Sequence, residues 1–499
     1  MGEPFYISTA ISYPNGRPHI GHAYEAIAAD AIARFQRSQG RDVRFQTGTD
    51  EHGLKMSQAA RAEGVPPAEY AGRMSLLFKE MCDSLNISYD RFIRTSDPDH
   101  HRASQAIWKA MAANGDLYLD RYEGWYSVRD EAFYDESELT DGEGGLKLSP
   151  QGTPVEWTAE ESWFFRLSKY QQPLLDHYAA QPDFIQPDSR RNEVLRFVEG
   201  GLSDLSISRT SFDWGVPAPD APGHVMYVWL DALTNYLTGL GYPDGGDLFE
   251  RYWPADVHLI GKDVVRFHAV YWPAFLMSAG LPLPKQVYGH GFMLVRGEKM
   301  SKSVGNVVDP LEMAERYGVD ALRYFLLREV TFGQDGTYSH EAIVNRANAE
   351  LANSFGNLAQ RTLSMIFKNL EGVIPEPGET EEDRSLLATV AAAVEGEVSE
   401  AFERFAFSQG MDAWLRAVFA CNAYVDATAP WALRKTDPER MSSVLGTLVV
   451  AIRQLAQAIA PVVPASAQRV IDLIDSGGGG QPIAQPQPIF PRLELGEQE

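Results

Sequence analysis

Two histidines lie three residues apart near the start of the chain, in the stretch YPNGRPHIGHAYE. As metal ligands, His19 and His22 would need a third partner, and the spacing His-Glu-x-x-His does not occur in the sequence. As structural histidines they would leave the surrounding prolines and glycines unexplained. As phosphate ligands they fit better, because a glycine lets a nucleotide approach, a following helix offers unpaired amides at its positive end, and imidazoles donate hydrogen bonds. We therefore interpret both histidines as groups that stabilise charge on a transferring phosphorus.

A second polar stretch, GEKMSKS, carries two lysines in what the pattern predicts to be a loop after a strand. Lys299 and Lys302 are point charges on flexible side chains, which suits a leaving pyrophosphate and a loop that closes. Taken alone, such a run is also what a solvated surface produces. Other nucleotide fingerprints are missing, since there is no G-x-x-x-x-G-K-[ST] and GLGYPD lacks the third glycine of a dinucleotide loop.

The elements that must position these groups follow from the hydrophobic pattern. Residues 5–9 form a short β-rich run, and residues 23–39 predict an alanine-rich helix that Gly40 stops. The two histidines therefore lie at a strand-to-helix junction. The next run, DVRFQTGTDEHG, alternates as a buried strand does and ends on Asp50, Glu51 and His52. Open α/β sheets bind ligands outside the carboxyl ends of their strands, so these polar residues mark a second place for chemistry.

The pattern divides the chain into a split α/β domain and a helical domain. Strand and helix alternation is interrupted by a mixed, turn-rich stretch that is typical of an insertion, and it resumes with HVMYVWLDALTNYL and DVHLIGKDVVRFHAVYWPAFLMSAG. The predicted segments are 1–96 and 227–292 for the two halves of the α/β domain, 97–226 for the insertion, 346–475 for the helical domain, and 476–499 for a Gly/Pro linker with a docking tail.

Composition excludes several classes of protein. At 499 residues the chain exceeds one hydrophobic core, and 44% hydrophobic with 22% charged residues is typical of soluble globular domains. The formal net charge of −24 argues against nonspecific binding of polyanions, so any nucleic-acid contact must be local. Cys82 and Cys421 lie too far apart in sequence to suggest a disulfide framework or a sulfur-ligated zinc site. No apolar run approaches the roughly 18 residues of a membrane span and no signal pattern is present, so we predict a cytoplasmic enzyme.

Together, HIGH at residues 19–22 and KMSKS at residues 299–303 resemble the signature motifs of class I aminoacyl-tRNA synthetases. The closer resemblance is to the methionyl-tRNA synthetases, because ISTAISYPNGRPHIGHAYEAIAADAIARFQR, TGTDEHG, YVWLDALTNYL, HLIGKDVVRFHAVYWPAFL, NLAQR and APWALRK follow in that family's order. The resemblance spans nearly the whole chain. It implies a Rossmann-type, parallel-sheet α/β catalytic domain split by a connective insertion, a stem-contact segment at 293–345, and an α-helical anticodon-binding domain.

The resemblance implies a reaction and residues for its amino acid. L-methionine would be activated by ATP to methionyl-adenylate and pyrophosphate, then transferred to the 3′ end of initiator and elongator methionine tRNA. Asp50 would bind the substrate ammonium group, and an aromatic pocket would suit the polarizable thioether. From the residues alone, Trp229 and Tyr236 could equally be packing, because they are seven apart on a predicted helix. The implied pocket residues are Ala10, Ile11, Tyr13, Trp229, Ala232, Leu233, Tyr236, Val264 and His268.

The same resemblance implies residues for ATP and for tRNA. The implied catalytic residues are His19, His22, Lys299 and Lys302, and the implied ATP contacts are Gly21, Glu25, Arg209, Asp263, Met293 and Lys302. Magnesium would accompany ATP, with the phosphates themselves as its ligands. Asn357, Arg361 and Trp431 match residues that read the anticodon CAU, and such side chains suit stacking and edge bonding of splayed bases. Ordinary helix surface polarity and a core tryptophan would explain these three residues as well.

The predicted insertion departs from many members of that family, which carry zinc knuckles with paired cysteines there. The stretches GWYSVRDEAFYDESEL and LSPQGTPVEWTAEESWFF contain no cysteine, so we predict a zinc-free knuckle. The appended C-terminal tRNA-binding module that dimerises some relatives is also missing from the sequence. A monomer is therefore the expected state.

Other functions remain as alternatives with distinguishing features. A class I synthetase for leucine, isoleucine or valine would carry an editing insertion of about a domain's size, because one methylene gives limited discrimination, and the interval here is shorter. A cysteine enzyme would show zinc-binding cysteines. A noncatalytic tRNA-binding relative is disfavoured by the intact histidine and lysine motifs with Asp50, and a small nucleotidyltransferase by the helical domain.

Overall fold

The computed structural model of the chain describes residues 2–130, 132–295, 297–300 and 306–495. The chain forms two compact units. The first unit comprises Met1–Pro18, Gly40–Asp83 and Ile87–His290, and the second comprises His19–Gln39, Ser84–Asn86 and Gly291–Glu499.

The strands and helices are given in chain order. The strands are β1 (Pro4–Thr9), β2 (Asp42–Thr49), β3 (Arg91–Arg94), β4 (Leu117–Ser127), β5 (Ala132–Tyr134), β6 (Thr140–Asp141), β7 (Lys147–Leu148), β8 (Pro154–Phe165), β9 (Ile185–Gln186), β10 (Leu205–Ser206), β11 (Ser208–Arg209), β12 (Val225–Met226), β13 (Val257–Gly261), β14 (Val287–His290), β15 (Met293–Val295), β16 (Glu298–Lys299) and β17 (Gly336–Tyr338). The α-helices are α1 (Ile20–Ser38), α2 (Leu54–Glu63), α3 (Pro67–Ser84), α4 (Pro98–Ala113), α5 (Gln171–Ala180), α6 (Asp188–Glu199), α7 (Val228–Thr238), α8 (Asp247–Tyr252), α9 (Trp272–Ser278), α10 (Pro310–Tyr317), α11 (Val319–Glu329), α12 (His340–Arg346), α13 (Asn357–Asn369), α14 (Glu381–Ala392), α15 (Ser399–Glu403), α16 (Phe407–Thr428), α17 (Pro430–Thr436), α18 (Pro438–Ile459) and α19 (Pro464–Asp475).

A parallel sheet organises the first unit, with the strand order β3-β2-β1-β13-β14-β9. Every neighbouring pair in it is parallel. This confirms the predicted α/β fold class and the interruption of the sheet by an insertion. Because parallel strands end at the same edge, the segments that follow β1, β2 and β13 all begin at one edge of the sheet.

The stretch predicted as an insertion builds a second, antiparallel sheet around the long β4–β8 pairing. It also supplies β9, which extends the parallel sheet by pairing with β14. The sequence pattern missed this strand because two residues carry no detectable period. The boundaries of the six predicted segments stay a prediction.

A cluster of hydroxyl groups holds the predicted knuckle together. The Asp130 carboxylate accepts hydrogen bonds from Ser149 Oγ at 2.7 Å, Thr153 Oγ1 at 2.5 Å and the Tyr134 hydroxyl at 3.0 Å. Ser127 Oγ lies 2.7 Å from Thr153 Oγ1. Across the described residues, no three His, Cys, Asp or Glu side chains form a group that could hold a metal ion. The zinc-free knuckle stays a prediction.

The second unit packs α1 with the helices that follow β17. The fully buried Arg323 of α11 donates to Asp30 Oδ2 of α1 at 2.6 Å and to the carbonyl oxygens of Leu85, Pro461 and Val462. All of its acceptors are buried with it, which is the condition under which a buried charge is tolerated. The helical domain predicted from the C-terminal pattern is confirmed by α13–α19.

One helix of the described chain, Pro438–Ile459, is long and apolar enough to cross a membrane. Most of its apolar window is buried inside the protein, as in the core helix of a bundle. The expectation that no apolar run reaches this length was wrong, because Arg453 and Gln454 interrupt the run and obscure it in the sequence.

Candidate functional site

A tyrosine and a histidine form the buried polar floor of the predicted amino-acid pocket. The Tyr236 hydroxyl lies 2.6 Å from His268 Nε2, and His268 Nδ1 lies 2.9 Å from the carbonyl oxygen of Val264. A carbonyl only accepts, so Nδ1 carries the proton and Nε2 accepts from the Tyr236 hydroxyl. The Tyr236 ring also stacks on buried His258, with the ring centres 4.0 Å apart. These contacts leave both side chains in one fixed orientation.

His268 is uncharged in this pocket. Burial lowers its pKa from the ordinary value to about 4, although the hydrogen bond to Val264 opposes the shift. The residue lies on a π-helical turn, Phe267–Tyr271, between Val265 and α9. Such turns are rare and occur often at functional sites. The helical sequence pattern gave no sign of this turn.

The tryptophan predicted as the aromatic wall of the pocket lies on α7. The Trp229 ring stacks on Phe267 with ring centres 3.8 Å apart and planes inclined by 7°. Trp229 is partly exposed, and so are Ala10 and Val264, which pack against the same hydrophobic cluster. On the buried side of α7, Ala232 and Leu233 are enclosed. Of the residues predicted to line the pocket, Ala10, Trp229, Leu233, Tyr236 and Val264 therefore share one apolar cluster.

The predicted ammonium ligand lies in the loop that follows β2. Asp50 is 8% exposed, and its N–H donates to the carbonyl oxygen of Ser12 at 2.9 Å. Ser12 stands between two other predicted pocket residues, Ile11 and Tyr13, both partly exposed. The Tyr13 hydroxyl accepts from the N–H of Met56 at 3.0 Å. The loops after β1 and β2 are thereby fixed side by side.

His52, which the sequence marks together with Asp50, belongs to a buried polar set whose other members, His100 and Asp231, were not predicted. His52 Nδ1 and His100 Nε2 each lie 2.6 Å from an oxygen of the Asp231 carboxylate on α7. Burial tends to raise the pKa of Asp231, but the two imidazoles outweigh it and hold that pKa below its ordinary value. A signal was present in the sequence, because an aspartate inside the apolar run YVWLDALTNYL needs a buried partner.

The two motif histidines cap their own helix. His19 Nδ1 accepts from the N–H of Gly21 at 3.1 Å, and His22 Nδ1 accepts from the N–H of His19 at 3.1 Å. The rings lie 3.8 Å apart. Since both Nδ1 atoms accept, a neutral ring carries its proton on Nε2. This tautomer places an N–H donor on each Nε2.

The expected unpaired amides at the start of α1 are not found. The N–H of Ile20 donates to Val308 O, that of Gly21 to the His19 ring, and those of His22 and Ala23 to His19 O. The prediction that this helix end offers unpaired amides to phosphate is therefore wrong. The reason is that His19 takes the place of the usual short capping side chain, and that Val308 accepts from the one amide of the first turn that His19 does not bind.

The structure brings the histidine motif close to the lysine motif within the second unit. A β-carbon added to Gly21 would lie 2.9 Å from a His19 ring carbon and 3.7 Å from the terminal methyl of Met300. Glycine is required here because the His19 ring folds over the backbone. The backbone of Lys299 belongs to β16, which pairs with β15, whereas Lys302 lies outside the described residues.

The other predicted ATP contacts differ in exposure. Glu25 on α1 is partly exposed, Met293 at the start of β15 is buried, and Asp263 is exposed. Arg209 is buried between aromatic rings, with its Cζ atom 4.3 Å from the centre of the Phe133 ring. Its Nη1 donates to Ser206 Oγ and Ser208 O, whereas Nε and Nη2 have no hydrogen-bond acceptor among the described residues.

The predicted anticodon residues lie on two helices of the second unit. The Arg361 guanidinium lies 5.3 Å from the centre of the Trp431 ring, and both side chains line a surface cavity with Asn422. Trp431 is 47% exposed. Asn357 is exposed one turn before Arg361 on α13, so the two project from one helix face. The alternative of a core tryptophan does not fit Trp431.

Comparison with family models places most of the chain in two matches. A model described as tRNA synthetases class I (M) matches residues 5–144 and 147–363. A model described as the anticodon binding domain of methionyl tRNA ligase matches residues 374–489.

Relatives of known name match over nearly the whole length. The methionine–tRNA ligase of Brucella suis biovar 1 (strain 1330) is 57% identical, with 99% of each chain covered. That of Mesorhizobium japonicum is 59% identical, with 95% of this chain and 91% of the relative covered. A solved structure of Mycobacterium tuberculosis methionyl-tRNA synthetase in complex with methionyl-adenylate is 56% identical, with a TM-score of 0.94 and coverage of 98% of this chain and 100% of that one.

Proposed function

Because this chain belongs to the class I methionyl-tRNA synthetases, we propose that it is a methionine–tRNA ligase. It activates L-methionine with ATP, releases pyrophosphate and transfers the methionyl group to the 3′ end of methionine tRNA. The observation that carries the proposal is the neutral Tyr236–His268 pair beneath the Trp229 wall. A thioether carries no charge and bonds weakly, so a desolvated pocket with an aromatic wall and an uncharged polar floor suits it.

Selectivity for methionine follows from the contacts of this pocket. Trp229, held flat against Phe267, offers a fixed aromatic surface to the flexible side chain. The Tyr236 hydroxyl donates to His268 Nε2, and this uncharged pair presents neither a charge nor a strong hydrogen-bonding group that the thioether would have to satisfy. Asp50 supplies the negative charge for the substrate ammonium group.

In the first step, an oxygen of the methionine carboxylate attacks the α-phosphorus of ATP. A carboxyl–phosphate bond forms, the bond between the α- and β-phosphates breaks, and pyrophosphate leaves with its negative charge. His19 and His22 stabilise that charge through the N–H donors on Nε2, and Lys299 and Lys302 neutralise the departing phosphates. Magnesium accompanies ATP, with phosphate oxygens as its ligands.

The remaining ATP contacts are proposed from the family motifs. Gly21 allows the nucleotide to approach the backbone, and Glu25, Asp263 and Met293 border it. Arg209 contributes its guanidinium group, whose Nε and Nη2 make no hydrogen bond among the described residues and whose Nε lies 3.8 Å from Glu160 Oε1. A buried arginine with such donors can bind an anion strongly, because the guanidinium is already desolvated.

In the second step, a hydroxyl of the terminal ribose of tRNA attacks the carbonyl carbon of the adenylate, and AMP leaves. Arg361 and Trp431 form the stacking surface for anticodon bases, with Asn357 for their edges. Both initiator and elongator methionine tRNA carry the anticodon and are proposed substrates. We also propose that the enzyme acts as a monomer in the cytoplasm, which light scattering of the purified protein and fractionation of cells would test.

The proposal is tested by ATP–pyrophosphate exchange with purified protein and each amino acid in turn. Exchange that depends on methionine, and that falls sharply in Trp229→Ala and Lys302→Ala, supports both pocket and mechanism. Trp157→Ala is the matched control, since that tryptophan is 57% exposed on β8 and far from the pocket in sequence. Exchange that depends on another amino acid would show that the protein is a synthetase for that amino acid. Absence of exchange with every amino acid would indicate a noncatalytic tRNA-binding protein.

A further inference from the structure

A fully buried carboxylate lies on α7, the helix that carries the predicted pocket residues Trp229, Ala232, Leu233 and Tyr236. Asp231 is 0% exposed, and its two oxygens accept separately from His52 Nδ1 and His100 Nε2, each at 2.6 Å. An ionised carboxylate only accepts, so both histidines donate. Such a group is costly to bury unless its partners are held in place. The arrangement therefore tolerates little movement of any of the three side chains.

These three residues come from three different segments. His52 stands two residues after Asp50 in the loop that follows β2, and His100 lies in the first turn of α4, which packs against α7. Asp231 stands between Trp229 and Ala232 on α7, on the side of the helix that is turned away from solvent. One carboxylate thus links the loop that carries the ammonium ligand to the helix that carries the aromatic wall.

The loop is held on its other side as well. Glu51 binds the Arg94 guanidinium at 2.7 and 3.0 Å and accepts from Ser96 Oγ at 2.5 Å and Thr49 Oγ1 at 2.9 Å. Its N–H donates to Thr95 Oγ1 at 2.8 Å. Glu51 therefore holds the loop against Arg94 of β3 and the two residues that follow it. His52 then sets the distance between the loop and α7.

We propose that His52, Asp231 and His100 are positioning residues for methionine, and we call this set the Asp231 clamp. The inference rests on the proposed function. The clamp sets the separation between Asp50 and the aromatic wall, so that the ammonium group and the thioether of one substrate are bound at once. Its members touch no substrate, and their effect reaches methionine through Asp50 and α7.

The ring nitrogens allow a crossed test of the clamp. Asparagine places an amide nitrogen where histidine has Nδ1, and glutamine places one where it has Nε2. His52→Asn and His100→Gln therefore keep the donor to Asp231, whereas His52→Gln and His100→Asn displace it. All four variants are polar and similar in size, which limits differences in folding.

The readout is the KM for each substrate in ATP–pyrophosphate exchange. The displaced-donor variants, His52→Gln and His100→Asn, should raise the KM for methionine about tenfold or more, as expected for a buried acceptor that loses its partner. The KM for ATP should change less than about twofold, because the clamp sets only the amino-acid pocket. The retained-donor variants should stay within about threefold of wild type for both substrates.

A second buried carboxylate of the same unit provides the matched control. Asp116 is also 0% exposed and accepts from Lys169 Nζ, Tyr170 and Ser278 at 2.5 to 2.7 Å, and none of these three partners is a predicted pocket residue. Asp116→Asn should lower thermal stability while leaving the KM for methionine unchanged. A milder variant of the clamp, Thr238→Val, removes the hydroxyl 3.0 Å from His100 Nδ1 and serves if a displaced-donor variant does not fold.

The possible outcomes separate the clamp from the proposed function. If the wild-type enzyme is active and the retained-donor and displaced-donor variants have equal KM values for methionine, the clamp is refuted. If the displaced-donor variants do not fold, an unchanged KM for methionine in Thr238→Val refutes it instead. If the displaced-donor variants raise the KM for methionine and the KM for ATP by the same factor, the cluster has only a structural role and the clamp is refuted. Absence of exchange in the wild-type protein itself would refute the proposed function, and the clamp with it.

Discussion

The pocket proposed for methionine and the cavity proposed for the anticodon expose their polar groups to very different degrees. Asp50, Tyr236 and His268 are at most 8% exposed, and the last two are hydrogen-bonded to each other. In the second unit, Arg361 is exposed, and Trp431 is 47% exposed with the guanidinium beside its ring.

The difference reflects what each site must distinguish. A buried polar group that loses its partner costs far more than an exposed one, so a desolvated pocket penalises a wrong amino acid strongly. A solvated aromatic surface gains stacking with any base and leaves identity to a few edge contacts. We therefore expect substitutions in the first region to alter amino-acid activation and those in the second to alter only tRNA charging.

We expect the largest effect on methionine activation from removing the buried carboxylate of Asp50. Asp50→Ala removes the proposed partner of the substrate ammonium group, and truncation of a buried charge pair costs about 2–5 kcal/mol. The kcat/KM for methionine in pyrophosphate exchange should fall about 100-fold or more. Asp256→Asn is the control, since that carboxylate accepts from the N–H of Tyr6 at 2.8 Å outside the pocket. Similar losses in both variants would contradict the assignment of Asp50.

The counterpart in the exposed region is Trp431→Ala. Loss of one stacked base costs about 1–3 kcal/mol, so charging of methionine tRNA should fall about 10- to 100-fold at subsaturating tRNA. Exchange without tRNA should remain at the wild-type level. Phe367→Ala on α13 is a matched control, because that ring is also exposed but lies six residues from Arg361 on another face of the helix. A fall in exchange for Trp431→Ala would break the separation of the two regions.

A smaller effect is expected from a single hydroxyl. Tyr236→Phe leaves His268 Nε2 buried without its donor, at a cost of about 1–3 kcal/mol. The KM for methionine should rise about tenfold, and discrimination against norleucine should weaken. Tyr178→Phe removes an equally buried hydroxyl, which donates to Ala269 O at 2.6 Å. The Tyr178 variant should keep the wild-type KM; if it does not, the effect is one of packing.

The smallest expected effect is that of pH on the KM for methionine. Burial holds the pKa of His268 at about 4, below the ordinary value near 6.5, so its protonated fraction at pH 6 is only about 1%. The KM for methionine should therefore change less than about twofold between pH 6 and pH 8. Protonation would become significant only as the pH falls toward 4. A rise in KM with a midpoint near pH 6.5 would show that the pocket is solvated.

The positions of the reactive motifs could be predicted from the sequence, but their local chemistry could not. The first strand and the following helix were expected at 5–9 and 23–39 and are found as β1 and α1, because short-range periodicity governs both. The helix begins three residues earlier than expected, since His19 caps it with a ring nitrogen. No capping rule based on serine, threonine or aspartate anticipates that contact.

The sequence by itself determined the family, the α/β class, the order of the two motifs and the identity of the charged and aromatic residues. These depend on residue type and on spacings of a few residues. Only the tertiary structure decided that Asp231 meets His52 and His100, which lie 179 and 131 residues away, and that the carbonyl oxygen of Val264 fixes the tautomer of His268. Hydrogen bonds between distant residues depend on how strands and helices pack, and packing leaves no period in the sequence to reveal them.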